Sequence, residues 1–170
     1  LMRRFDKLRR EVDHSGTLDA MDRFERDAYE LVAGAAARRA FDISLEDPRM
    51  RDRYGRHSWT QSMLLARRLV EAGTTFVSVH LGGWDHHWDL KGSYERLLPI
   101  VDQGFSALLE DLAQRGLLET TLVMLCGEFS RTPRMNDGGN GGAPMSMGTP
   151  GRDHWGNAMF CLMGGGGVQG

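Results

Sequence analysis

The sequence predicts an α/β fold in which helices cover a mainly parallel sheet. Amphipathic helical patterns alternate with apolar, β-branched runs, in the order helix, strand, helix, strand, loop, strand. Clusters of polar residues directly follow or precede the strand-like runs. The 170 residues are 41% apolar and 26% charged, which is ordinary usage for one globular domain.

Charge divides the chain into two parts. Residues 1–56 contain 13 basic and 12 acidic residues, whereas the remaining 114 contain only 8 and 11. We therefore interpret 1–56 as a charged helical segment packing on a better-buried core, residues 57–170. Within the segment, apolar residues from Leu18 to Ala35 follow the spacing of one helix face. The chain begins without Met and ends in a glycine run, so we expect a fold that is incomplete at both ends.

Two helices and three strands are predicted in the core. Ser58 and Gln61 form a capping box for a helix that Gly73 ends. A second helix covers roughly 93–115, and Pro99 either begins its regular part or kinks it. The runs that predict strands are Thr75–His80, Leu122–Cys126 and Ala158–Met163. The second run is uniformly apolar, which is typical of a strand buried on both faces.

The last two predicted strands are separated by a long loop. Its glycine-rich part, at about 136–148, predicts a flexible insertion. Cys126 and Cys161 lie in the flanking strands, and we interpret them as buried thiols in preference to a disulfide.

Composition excludes two classes of partner. A net charge of −2 gives no overall field that would attract nucleic acid. No apolar run approaches the ~20 residues of a spanning helix, so we expect no membrane-spanning helix. The first residues are charged and helix-like, so we do not expect them to be a signal peptide.

Three polar clusters, residues 82–89, 127–133 and 151–155, predict a metal site. They supply carboxylates and imidazoles and contain no cysteine themselves, which suits catalytic zinc, manganese or iron more than structural zinc. Ligands bind at the carboxyl ends of strands in open α/β sheets, and the long loop can return the third cluster to that edge. His86 and His87 point in opposite directions if extended, so only one is expected to face the site.

Other residues of the clusters have alternative readings. Arg131 and Arg152 are candidate anion-binding residues, or they pair with Asp153 or Glu128. The tryptophans Trp84, Trp88 and Trp155 either wall a pocket or cover the sheet edge.

Four motifs in this order resemble a large bacterial family, domain of unknown function 1501, placed in the alkaline phosphatase-like and sulfatase-like superfamily. The motifs are Ala66-Arg67-Arg68-Leu69-Val70-Glu71-Ala72-Gly73, Gly82-Gly83-Trp84-Asp85-His86-His87, Gly127-Glu128-Phe129-Ser130-Arg131-Thr132-Pro133 and Gly151-Arg152-Asp153-His154-Trp155. The resemblance runs from about Arg23 onward and matches the central to C-terminal part of longer family members. It implies an α/β/α sandwich and an exported bacterial protein of the periplasm or cell surface.

The resemblance also implies a metal-ligand set. Asp85 and His87 match the first Asp/His cluster of the superfamily, Glu128 falls where an Asp-His pair follows a central strand, and His154 resembles a late histidine ligand. Phe129 replaces the histidine of that pair, which favours one metal ion, zinc or manganese, over two.

Two functions follow from these residues. The first is a metal-dependent hydrolase of phosphate or sulfate esters, on a small molecule or a polymer, assisted by Arg131 or Arg152. The alternative is a non-catalytic binding module that retains the fold. Ser130 and Thr132 are the hydroxyls near the clusters, and neither lies beside an obvious base or in a strained elbow. We therefore expect this chain alone to lack a nucleophile and not to turn over an ester.

Overall fold

The structure, a computed structural model, describes residues 34–135 and 150–168 together with Lys7, Glu25, Ala28 and Glu30. The chain divides into two compact units, Leu1–Val79 and His80–Gly170. Most of the helix expected at 18–35 and all of the insertion expected at 136–148 lie outside the described residues.

Unit 1 is helical in its described part. It contains α1 (Ala35–Phe41), a 3-10 turn (Ile43–Leu45), α2 (Pro48–Tyr54) and α3 (Ser58–Glu71). α1 and α2 both pack against α3. The buried apolar side chains of these helices are Ala40, Tyr54, Met63, Leu64 and Ala66.

The C-terminal end of α3 agrees with the prediction, whereas its N-terminal cap differs. The N-cap is His57, whose side chain accepts a hydrogen bond from the backbone N–H of Trp59, so the predicted capping box at Ser58 is wrong by one residue. Gln61 instead donates to the carbonyls of Arg51 and Gly55. At the other end Gly73 has a φ of 95°, which lets the next N–H bond the Leu69 carbonyl and closes the helix as predicted.

A buried ion network joins α3 to the turn before α2. Arg67, whose side chain is 1% exposed, contacts Glu46 and Glu71, and Arg68 contacts Glu46 at 2.8 Å. Arg68 also donates to the Ala40 carbonyl at 3.0 Å. Burial alone would raise the pKa of Glu46, but its hydrogen bonds from the two arginines hold that pKa below the usual value. The two arginines and two glutamates therefore form ion pairs with one another within the unit.

The described part of unit 2 contains one long helix and two small sheets. α4 (Leu90–Gln114) contains Pro99 within its length, and a 3-10 turn (Leu118–Thr120) leads to β1 (Leu122–Cys126). The other strands are β2 (Ser130–Arg131), β3 (His154–Trp155) and β4 (Cys161–Gly165). No helix of the described residues is both long and apolar enough to cross a membrane.

Both sheets are antiparallel pairs. β1 pairs with β4 from Leu122 opposite Gly165 to Cys126 opposite Cys161, and β2 pairs with β3. The fold therefore mixes helices and strands as predicted, but the described strands do not form the expected parallel sheet. In particular, Thr75–His80, the strand expected to start the sheet, forms no ladder with any described residue, and Phe76 is 84% exposed.

The burial of the predicted strands differs from expectation. β1 has the predicted bounds, yet Leu122, Met124 and Cys126 are exposed on one face, and Leu162 of β4 is exposed on the other. The described chain therefore covers the β1–β4 pair only in part. Cys161 is also exposed, so the interpretation of both cysteines as buried thiols is wrong. The final strand begins three residues later than predicted, at Cys161.

Candidate metal centre

A single carboxylate oxygen is the centre of the polar cluster in unit 2. Oδ1 of Asp85 lies 2.7 Å from Nε2 of His154 and 3.1 Å from Nε2 of His87. The same oxygen accepts a hydrogen bond from Nη2 of Arg131 at 2.7 Å. These four residues come from three separate sequence clusters, as the sequence analysis expected.

The β2–β3 pair places two of these side chains together. Arg131 lies directly opposite His154 in the ladder, so both project from the same face of the pair. Arg131 extends this arrangement by donating to the carbonyls of Trp84 and Arg152, at 2.9 and 3.1 Å. Its guanidinium therefore connects the loop that carries Asp85 to both strands.

The chain before β3 is fixed against the segment from His86 to Leu90. Pro150 forms an isolated bridge with Trp88 and accepts a hydrogen bond from the N–H of Leu90 at 3.2 Å. Gly151 is buried, and a Cβ there would overlap the His87 carbonyl. Only glycine lets the backbone at 151 come this close to the backbone of His87. The close contact brings the His154 ring to a centroid distance of 4.8 Å from the His87 ring.

His87 is oriented from behind by a second carboxylate. Its Nδ1 lies 3.0 Å from Oδ1 of Asp153, while its Nε2 faces Asp85. A carboxylate bound to the far nitrogen of a histidine fixes the ring and its tautomer, the arrangement found behind many metal-ligating histidines.

His86 points away from this cluster. Its ring makes edge contacts with Trp84 and Tyr94, and its Nε2 is buried without a hydrogen-bond partner among the described residues. The expectation that only one of the two adjacent histidines faces the site is confirmed.

Three ligand atoms, from Asp85, His87 and His154, lie within 4.8 Å of one another and can hold a metal ion. Ligand atoms on a tetrahedral zinc ion with bonds of about 2.1 Å lie about 3.4 Å apart, so a small side-chain adjustment would suffice. Hydrogen bonds from His154 and Arg131 lower the pKa of Asp85 well below its usual range, so its carboxylate is ionised at neutral pH. A ligand of this kind needs no proton loss to bind a cation.

The fourth predicted ligand, Glu128, is not part of this group. Its side chain is exposed, and its role as a ligand stays a prediction. Its neighbour Phe129 packs against the His154 ring with a centroid distance of 4.7 Å. Phe129 therefore packs against the side chain of a candidate ligand.

The two candidate anion-binding arginines occupy different environments. Arg131 is engaged with Asp85 and two carbonyls, so neither predicted pairing, with Asp153 or Glu128, describes it. The buried Nε of Arg152 has no hydrogen-bond partner among the described residues. Arg152 is thus the arginine with unused donor capacity beside the cluster, and its binding of an anion stays a prediction.

The whole sequence, residues 1–170, matches a family described as "Protein of unknown function (DUF1501)". The chain belongs to this family. It matches no curated protein and no solved structure.

The three candidate ligands of this DUF1501 chain were predicted from the sequence, but two features that hold them in place were not. Asp153 lies in a predicted cluster, yet its contact with His87 could not be predicted because 66 positions separate the two residues. Gly151 was quoted only as part of a motif, although its lack of a side chain permits the loops to meet.

Proposed function

We propose that this DUF1501 chain binds one divalent metal ion, zinc or manganese, through Asp85, His87 and His154, and that the ion serves hydrolysis of phosphate or sulfate esters. The observation that carries the proposal is the convergence of one carboxylate oxygen and two imidazole nitrogens within 4.8 Å. Three protein ligands of mixed N and O type are typical of catalytic metal sites, which keep a position for water or substrate.

Solvent access supports a working site over a structural one. The Asp85 side chain is 69% exposed and that of His154 49%, whereas that of His87, backed by Asp153, is 24% exposed. An ester on a small molecule or on a polymer can reach such a cluster from the solvent. A structural zinc site would instead be closed by four protein ligands.

Each residue has a definite role in the proposed reaction. The bound ion supplies Lewis-acid polarisation of the ester and activation of water. Asp85, His87 and His154 hold it, and Asp153 fixes the His87 ring. Arg131 keeps the three segments in register, and Arg152 is the proposed partner of the negative oxygens of a phosphate or sulfate.

The described hydroxyls offer little as a nucleophile. Thr132 Oγ1 donates to the Arg134 carbonyl at 2.7 Å, and Ser130 lies in a two-residue strand. Neither is part of a strand-to-helix elbow of the kind that activates serine in hydrolases. We therefore propose that the 170-residue chain provides metal ligands and that turnover requires residues beyond the described ones.

The placement of this family in the alkaline phosphatase-like superfamily belongs to the same proposal, as do the parallel α/β/α sandwich and an exported location. The order of the clusters Asp85/His87, Glu128 and His154 along the chain supports it. The described β1–β4 pair would be one edge of that larger sheet, which agrees with its exposed face.

A non-catalytic metal- or ligand-binding module remains the second candidate. Two observations favour it: Phe129 occupies the place of an additional ligand, and the Arg131 guanidinium already neutralises Asp85 at 2.7 Å. A cation must share that carboxylate with Arg131, which lowers affinity relative to an unpaired aspartate.

Metal binding is tested first by titrating zinc or manganese into chelator-treated protein in a calorimeter. We expect one ion per chain, and at least a 100-fold weaker affinity in Asp85→Asn and His154→Gln. The matched control is His80→Gln, which removes an exposed histidine from outside the cluster. Equal binding by His80→Gln and the two site variants would reject the site.

Turnover separates the two candidate functions. The metal-loaded chain and a longer family member are compared on an aryl phosphate and an aryl sulfate. Metal-dependent hydrolysis by the longer protein, lost on substitution of the residue equivalent to Asp85, supports the hydrolase. Stoichiometric metal binding without hydrolysis of either ester by either protein identifies the binding module.

A further inference from the structure

Cys126 and Cys161 are the only cysteines of the chain, and they lie directly opposite each other at one end of the β1–β4 ladder. Both are exposed thiols. Because directly opposed residues of an antiparallel pair project from the same face, the two side chains leave the sheet side by side.

The distance between the two cysteines depends on whether they form a hydrogen-bonded or a non-hydrogen-bonded pair of the ladder. Just beyond the strand ends, the N–H of Gly166 donates to the carbonyl of Thr121 at 3.1 Å, and these two residues continue the same register. They therefore form a hydrogen-bonded pair, and such pairs alternate along the ladder with non-hydrogen-bonded ones. Five steps further on, Cys126 and Cys161 fall in a non-hydrogen-bonded pair.

Non-hydrogen-bonded positions bring opposed residues closest together. Their Cα atoms are about 4.5 Å apart, which lies within the ~4.4–6.8 Å span of protein disulfides. The ladder also holds both backbones in place, so bond formation needs rotation of the side chains only. Neighbouring Met124 and Met163 form the next opposed pair on this face and are exposed as well, which leaves the thiols open to a soluble oxidant.

We propose that Cys126 and Cys161 form a cross-strand disulfide when the folded chain meets a disulfide oxidant such as oxidised glutathione. One cysteine thiolate attacks a sulfur of oxidised glutathione, forms a mixed disulfide and releases one glutathione thiolate. The second cysteine, after losing its proton, attacks the protein sulfur of that mixed disulfide and releases the second glutathione. Two protein thiols are oxidised, and one oxidised glutathione becomes two reduced molecules.

The bond would close the segment that carries half of the candidate metal centre. β2 and β3, with Arg131 and His154, lie between the two cysteines in sequence, and the disulfide joins the points at which the chain leaves and re-enters the β1–β4 pair. A covalent link at that position limits how far β2 and β3 can separate in partly unfolded states. The existence of the disulfide does not depend on metal binding.

The test equilibrates the protein with glutathione redox buffers, blocks remaining thiols with iodoacetamide and measures intact mass. We expect the equilibrium constant for disulfide formation with glutathione to be at least tenfold larger in the folded chain than in the guanidinium-unfolded chain. Trypsin cleavage after Arg115, Arg131 and Arg152 should then yield one linked pair of peptides, 116–131 and 153–170. The oxidised protein should also melt several degrees above the reduced one.

Single-cysteine variants provide the control. Cys126→Ser and Cys161→Ser should each retain one glutathione as a mixed disulfide that cannot resolve, and their melting temperature should not rise on oxidation. The proposal is overturned if the folded wild type accumulates stable mixed disulfides, keeps both thiols alkylatable, or forms only intermolecular dimers. An equilibrium constant equal to or below that of the unfolded chain would also overturn it, because the native geometry would then oppose the bond.

Discussion

The Glu46 network of unit 1 and the Asp85 cluster of unit 2 surround their arginine–carboxylate contacts with opposite environments. In unit 1, Arg67 is 1% exposed and Glu46 10%, and each charge meets partners on a neighbouring helix or turn. In unit 2, Asp85 is 69% exposed and stands on a loop, with two histidines and Arg131 directed at one of its oxygens. Buried paired charges are costly to separate, whereas exposed pairs contribute little to stability. The difference indicates that the first network holds the helices together and that the second is available to a ligand.

The largest effect is expected from breaking the buried network. Glu46→Gln removes the charge that faces Arg67 and Arg68, and we expect it to lower the free energy of unfolding by roughly 3 kcal/mol. This loss is at the lower end of the range for breaking a buried ion pair, because Glu71 still contacts Arg67 in the variant. Denaturant unfolding at neutral pH measures it.

The same substitution should remove part of the acid sensitivity of unit 1. The folded pKa of Glu46 is lowered, so its contribution is complete above the unfolded value of about 4.3 and is lost as pH falls towards the folded value. The control is Asp52→Asn, which breaks the exposed Arg56 pair of the same unit and should change stability little. If both variants lower the free energy of unfolding by a comparable amount, the buried pair of Glu46 does not contribute more than the exposed pair of Asp52.

An intermediate effect is expected from the carboxylate behind His87. Asp153→Asn keeps a hydrogen-bond acceptor for Nδ1 but removes the charge, and should weaken metal affinity about tenfold. Asp153→Ala removes both and should approach 100-fold. Calorimetric titration of zinc checks the order, and Asp102→Asn, an exposed change on α4, is the control. Affinity equal to wild type in both Asp153 variants would remove this residue from the site.

The smallest effect concerns His86. Burial, together with the positive charges of Arg131 and Arg96, lowers its pKa, so the folded state disfavours its protonated form. As pH falls below the unfolded value of about 6.5, the unfolded chain takes up the proton first and stability decreases. His86→Phe retains the ring contacts with Trp84 and Tyr94 and should reduce the loss of melting temperature between about pH 7.5 and 5.5 by about 1–3 °C.

His80→Gln serves as the control for that measurement. It removes an exposed histidine and should leave the acid dependence as in the wild type. If His86→Phe loses as much melting temperature on acidification as the wild type does, then His86 does not account for the dependence.

Local signals in the sequence predicted α3, α4 and β1 well. The stop at Gly73 and the apolar stripes of α3 and α4 depend on residues a few positions apart, so a single sequence contains them. Strand partners cannot be obtained this way, because pairing depends on contacts between distant segments. The prediction for Thr75–His80 illustrates the problem, since its β-branched pattern is real but no described strand pairs with it.

The three candidate ligands could be predicted from the sequence, but the contacts that hold them in place could not. Asp85, His87 and His154 have side chains suited to metal, so their chemistry is visible at each position. The contacts of Arg131 with two carbonyls, and of Phe129 with the His154 ring, depend on the β2–β3 register. Alternation along the chain did separate His86 from His87, because neighbouring side chains of an extended segment diverge.

The attachment of Pro150 to Trp88 and Leu90 bears on how family members can diverge. The chain is anchored by backbone contacts immediately before Gly151, which itself allows no side chain, and His154 follows three residues later. Insertions or deletions between 136 and 149 would end at this anchor, so their length need not be transmitted to His154. We therefore expect changes of length in that stretch to leave His154 in place, whereas a side chain at position 151 would displace it.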